Sequence, residues 1–207
     1  MSSWTFVEPV GFPVDGTVSV VTGRYVAFLR GINVGGKNLI SMADLRVEFE
    51  RAGYEAVETY IQSGNVLFET DRPRTELEQS IESVVATTLG RPVVVVVRSH
   101  RQLANLVRSA PDGFGTDRDM RLSDVVFLKA PLTSATAMRA VSIRDGVDRA
   151  WPGIGVLYFE RLAERASQSR FSRLVGTPEY QRMTIRNWST TTKLLALLDQ
   201  RRQRPGD

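Results

Sequence analysis

Cysteine is absent from this 207-residue chain, and histidine occurs once, as His100. The first absence excludes disulfides and thiol chemistry. The second leaves little for an imidazole base or a zinc site, although an all-oxygen metal site stays open. Lysine is scarce too: Lys37, Lys129 and Lys193 apart, the basic residues behind the net charge of +4 are arginines. They are spread along the chain, with one short basic tail at Arg201-Arg202-Gln203-Arg204, and read as compositional bias before they read as a nucleic-acid footprint. No run approaches the roughly 18 apolar residues of a membrane span, so no membrane partner is expected. Residues 1–22 lack a basic start and carry Glu8, Pro9, Pro13 and Asp15 where a signal peptide needs apolar residues, so cytoplasmic residence is expected. What remains is an ordinary apolar share, 42%, on a chain long enough for a substantial core.

Residues 1–23 read as an N-terminal extension. The first strand runs from Arg24 to Arg30 and a glycine-rich loop follows. Ser41 with Asp44 has the spacing of a helix cap, after which Met42, Leu45, Phe49 and Ala52 share a helical face until Gly53. Val57 to Ile61 and Val66 to Glu69 flank Ser63-Gly64-Asn65 and predict a hairpin. Pro73 opens a helix striped by Leu77, Ile81, Val84, Val85 and Leu89 and closed by Gly90. Val93 to Val97 is a fully apolar strand, which predicts that both faces of its sheet are covered. The order over 24–98 is βαββαβ, the ferredoxin-like plait.

A connecting helix and loop over 99–122 carry Leu103, Leu106 and Val107. The order then restarts in 123–207: a strand at Asp124 to Lys129, a helix near 134–142, a hairpin turning at Pro152-Gly153, a helix ending at Gly176, a weak strand near Gln181 to Ile185, and a C-terminal helix with Leu194, Leu195, Leu197 and Leu198. The fold class is therefore α+β, two plaits packed together plus a C-terminal helix. The duplication reads as one of topology, without matching residues between the halves.

The plait places motifs in space. With strand order 4-1-3-2, the exit of the first strand and the hairpin turn lie at one end of the sheet, so Arg30-Gly31-Ile32-Asn33-Val34-Gly35-Gly36-Lys37-Asn38 is expected beside Gln62-Ser63-Gly64-Asn65. The loop satisfies G-x-x-x-x-G-K but ends in Asn38, without the hydroxyl that a P-loop uses on Mg²⁺, and its helix cap comes too late. A weaker reading survives. Gly31, Gly35 and Gly36 free the backbone to turn N–H groups inward, and Arg30, Asn33, Lys37 and Asn38 add donors suited to an anion. Gln62, Ser63 and Asn65 form the second wall; Ser63 lacks an evident base and is not read as a nucleophile. A third cluster enters the last helix, with Asn187 as N-cap and Arg186, Thr190 and Lys193 expected on one helical face. Asp112, Asp117, Asp119 and Asp124 lack metal-ligand spacing and read as solvated loop carboxylates.

The segments Tyr25 to Asn38, Thr59 to Val66, and Thr184 to Trp188 with Thr190 and Lys193 resemble the bacterial DUF1697 family over about residues 24–200. The resemblance implies an α/β plait and carries no established activity or cofactor; the extension before Arg24 departs from the family's usual start. Three functions follow as expectations. The leading one is binding, with or without turnover, of a small anionic or phosphorylated ligand at the glycine-rich loop. A nucleic-acid module is less favoured, because the strand Asn65 to Glu69 lacks the stacking aromatics of an RNA-binding plait. The third is a scaffold whose motifs only stabilise turns.

Overall fold

The computed structural model describes residues 22–33 and 40–201. Strand β1 (Gly23–Leu29) alternates Tyr25, Ala27 and Leu29 on one face with Val26 and Phe28 on the other, and both sets are packed in apolar clusters. A strand buried on both sides must be covered twice. On the first side lie α1 (Met42–Arg51) and α2 (Arg74–Leu89). The Ser41 side chain accepts from Asp44 N to start α1, and Gly90, at φ 66°, ends α2 in the left-handed region. With β2 (Glu55–Tyr60), β3 (Asn65–Thr70) and β4 (Val95–Ser99), β1 forms an antiparallel sheet in the order β2-β3-β1-β4, as expected of the first plait.

Helix α3 (His100–Arg108) starts from a complete capping box between Ser99 and Gln102. The second sheet repeats the first: β5 (Arg121–Leu128), β6 (Asp148–Gly153), β7 (Val156–Leu162) and β8 (Met183–Asn187), in the order β6-β7-β5-β8. Helix α4 (Ser134–Ala140) lies on its outer face, and α5 (Trp188–Gln200) ends the described chain. The chain is thus two packed ferredoxin-like units with a C-terminal helix.

The second side of β1 is covered by the other unit. Val26, Phe28, Leu67 and Val96 of the first sheet meet Val125, Phe127, Val156 and Tyr158 of the second in one layer that α3 and α5 complete. Its centre is Phe28 stacked on Phe127, ring centroids 4.1 Å apart. Truncating either ring would cost about 3–5 kcal/mol.

Several details differ from the sequence reading. The second hairpin turns at Ile154 and Gly155, two residues beyond Pro152-Gly153, which stay in β6. The segment expected as a helix ending at Gly176 holds two short 3-10 turns, Ala166–Gln168 and Phe171–Gly176, and a third, Pro178–Arg182, takes the start of the strand expected near Gln181 to Ile185, so that β8 begins at Met183. Leu174 alone in these turns is fully buried, so no apolar stripe supports an α-helix. The Asp148 carboxylate instead accepts Arg144 N and Arg170 N, tying the segment to the start of β6.

The halves also share more than topology. Aligning β1 with β5 and β4 with β8 by their pairing registers matches Phe28 with Phe127, Leu29 with Leu128, Arg98 with Arg186 and Ser99 with Asn187. In each half the last residue of the first strand donates its N–H to a turn glycine: Leu29 to Gly64 O at 2.8 Å and Leu128 to Gly155 O at 3.0 Å.

Candidate functional site

Arg186 joins the last of the expected clusters to the hairpin wall at Ser63 and Asn65. It lies in β8, one residue before the Asn187 cap, and not on the face of the last helix; that helix begins only at Trp188. Strand alternation turns its side chain into the layer between the sheets, 8% exposed. There Nε donates to Asn65 Oδ1 at 2.5 Å, Nη1 to Thr184 Oγ1 at 3.0 Å and Ile185 O at 2.7 Å, and Nη2 to Leu29 O and Ser63 O, both at 2.9 Å, and to Gly64 O at 3.2 Å. A cation taken out of water is held here by carbonyl, amide and hydroxyl oxygens instead of a carboxylate, which satisfies its donors. Burial still lowers its pKa to about 10, with Tyr180 opposing. The guanidinium is therefore a bolt between the units and presents little to a ligand.

The other expected residues divide in the same way. Asn33, at φ 55°, donates from Nδ2 to Ile40 O and Gln62 O and accepts Ile40 N at Oδ1, so it clasps the two ends of the loop and joins it to the hairpin. The expected adjacency of loop and hairpin is realised for this part. Asn65 is fully buried, bonding Tyr60 O and Ser63 Oγ besides Arg186. Asn187 caps α5 by accepting Thr190 N at 2.7 Å; Thr190 is buried and Lys193 exposed. Arg30 lies 4.3 Å from the Tyr180 ring centroid and donates to Gln181. Gly31 and Gln62 are exposed, while Gly35, Gly36, Lys37 and Asn38 lie outside the described residues. Beside them Ile61, a β-branched residue, sits at φ 50° and is 49% exposed, a strained conformation for its type. Asp124 is no loop carboxylate: it is buried in β5 and pairs with Arg161 at 2.6 Å.

Arg98 repeats the bolt in the opposite direction. From β4 it donates to Leu128 O at 2.6 Å and Gly155 O at 3.0 Å, the counterparts of the Leu29 and Gly64 carbonyls that Arg186 uses. Each unit reaches into the other at equivalent places, the reciprocity of a twofold relation. The two ends nevertheless differ. Around Arg186 the polar groups saturate one another, whereas around Arg98 the units leave a cavity of about 440 Å³. Leu106, Leu128, Leu132 and Ile154 supply its apolar walls, and Arg74, Glu78, Gln102 and Asn105 its polar ones. Desolvation brings the Arg98 guanidinium down to about 10, opposed by Glu78 and reinforced by Arg74. Tyr158 donates its hydroxyl to Leu106 O at 2.7 Å, and burial raises its pKa to about 12.

Sequence reasoning missed this cleft because its walls come from α2, α3, the β5 exit and the β6–β7 turn, none carrying a motif. One signal was available: the twofold counterparts of the expected Arg186 cluster are the residues around Arg98. Among the described residues no group of His, Asp and Glu could hold a metal ion, and no helix is long and apolar enough to cross a membrane. Both sheets face each other across their inner layer, so the open sheet face on which RNA-binding plaits stack bases is not offered.

Comparison with known proteins agrees with this architecture. A solved conserved bacterial protein from Streptococcus pneumoniae is 27% identical, with a TM-score of 0.74, and the match covers 86% of this chain and 99% of that one. None of the curated proteins compared matches the chain. The family model described as a protein of unknown function, DUF1697, matches residues 23–158. Fold, motif segments and family model agree, and the chain belongs to the DUF1697 family.

Proposed function

We propose that this protein binds a small organic molecule in the cleft between its two units. The carrying observation is the cavity beside Arg98, about 440 Å³, within the ~300–1,000 Å³ typical of small-molecule sites. Its walls are apolar with a few convergent polar groups, and it lies at a junction between units, where ligand sites concentrate. A ligand there would be gripped by both halves and would raise the stability of the whole chain by mass action. The test is a metabolite and fragment panel read by thermal shift, repeated on Asn105→Trp, which fills the cleft from an exposed position of α3. Hits on the native chain that vanish in this variant, with its own unfolding temperature unchanged, support the reading. Hits retained by the variant sink it.

A second reading keeps a small anion at the glycine-rich loop, with Arg30 and Lys37 as its cations. The observation favouring it is the positive φ of exposed Ile61, since backbone strain gathers at binding sites. Loss of a phosphate-dependent thermal shift in Lys37→Ala, with the response of Asn105→Trp intact, would favour the loop over the cleft.

A further inference from the structure

The cleft has a polarity that narrows its ligand, an argument that rests on the proposed binding role. Four of its acceptor groups are engaged, and the Thr75 and Ser109 hydroxyls on its wall can donate as well as accept. Leu128 O and Gly155 O receive Arg98, and Leu106 O receives the Tyr158 hydroxyl. The Glu78 carboxylate takes Val97 N on one oxygen and Lys129 Nζ on the other, both at 3.0 Å.

The donors are in the opposite condition. The Gln102 amide oxygen accepts Ser99 N and the Asn105 amide oxygen accepts the Arg108 guanidinium. Those bonds fix which end of each amide is oxygen and leave the two NH₂ groups as the ends that the protein does not use. Arg74, exposed in the first turn of α2, makes no hydrogen bond or ion pair among the described residues. The charge balance points the same way. Arg74 and Arg98 are both cationic and close enough for Arg74 to disfavour the charge on Arg98. Glu78 pairs with Arg98 at 3.8 Å, and Lys129 is shared between Glu78 and Glu82 at 3.0 Å each, so the two carboxylates face three cations and one positive charge is left over.

The same cleft is lined by Leu106, Leu128, Leu132 and the tip residue Ile154, which is 97% exposed. We infer that the cleft takes a small amphipathic anion: a carboxylate or phosphate monoester that accepts from Arg74, Gln102 and Asn105, joined to an apolar body that covers the leucines and Ile154. A guanidinium beside two amide NH₂ groups suits a planar or tetrahedral oxyanion, since each donates along fixed N–H directions. An apolar body without the anion would leave the donors unpaired, and inorganic phosphate without the body would leave the leucines wet.

The experiment is calorimetric titration of the full chain at neutral pH with octanoate, octyl phosphate, octanol, octylammonium and inorganic phosphate. Octanoate or octyl phosphate is expected to bind at least ten-fold more tightly than octanol, octylammonium and phosphate, and the stronger of the two identifies the head group. Arg74→Glu is expected to weaken that anion at least ten-fold. An acidic residue in the first turn of a helix is compatible with folding, and Arg74→Gln serves as a charge-neutral second variant. Equal binding of octanol and octanoate, or an affinity unmoved by both Arg74 variants, overturns the anion while leaving the cleft standing. Failure of every probe also overturns it, and the panel with Asn105→Trp then decides the cleft separately.

Discussion

Arg186→Met keeps most of the side chain's length and removes all of its donors. On the sequence reading, in which Arg186 faces a ligand, this exchange should leave stability nearly unchanged. The structure gives another number. Of the acceptors that Arg186 serves, Gly64 O keeps Leu29 N at 2.8 Å, but Asn65 Oδ1 and Leu29 O lose a donor in buried surroundings. A buried acceptor left without its donor costs about 1–3 kcal/mol, so two cost roughly 2–6, with a central value of about 4 kcal/mol. For a chain of this length that lowers the melting temperature by roughly 8–16 °C. Arg186→Lys should fall between, because one ammonium point charge cannot reach both Asn65 and the carbonyls beyond it. Urea unfolding followed by circular dichroism and tryptophan fluorescence measures the loss. A loss below about 1 kcal/mol for Arg186→Met, with cooperativity retained, would refute the bolt and return the residue to ligand chemistry.

Two further outcomes follow from local geometry. Gly64 sits at φ 71° with an added Cβ only 3.0 Å from Leu29 Cβ and 3.1 Å from that of Ile32, whereas Gly90, at φ 66°, has open space around it. Gly90→Ala should cost about 1 kcal/mol from the left-handed conformation alone, and Gly64→Ala at least twice the loss measured for Gly90→Ala; equal losses would mean that the hairpin yields. Tyr158 keeps its proton to about pH 12 in the native protein and to about pH 10 once unfolded. Its raised pKa therefore contributes stability that is full below pH 10 and is lost as pH rises from 10 to 12. Ultraviolet titration should show a late phenolate component that Tyr158→Phe removes, and an unchanged titration curve would contradict the buried hydroxyl.

The first unit was readable because its residues state their own structure. Val26 and Phe28 alternate with Ala27 and Leu29, a cap stands before α1, and Gly90 ends α2, so period and punctuation agree. The second unit's third segment was not readable: the polar run before Gly176 has enough helix formers to suggest a helix, yet its course is set by the distant Asp148 carboxylate. The repeat escaped notice because it survives in single residues, Arg98 and Arg186 above all, whose equivalence lies in which carbonyls they reach. The Arg186 cluster was found and Arg186 placed on the wrong element, a helix face in place of a strand, since donors that bind a ligand and donors that bind their own chain look alike along a sequence. The cleft was invisible for a simpler reason. Its walls meet only when two sheets close face to face.

Arg98 is rooted in one half and seated in the other, and Arg186 is its mirror. Each half's final strand carries a plug cut for its neighbour's socket, so neither half can hide that strand's arginine alone. A chain severed at exposed Asp117, after Phe114 has joined the shared core, would give two pieces that are poor proteins singly and obligate complements together. The fold thus carries a natural seam for a split reporter: association of the pieces would be read out by the same two arginines that lock the intact molecule.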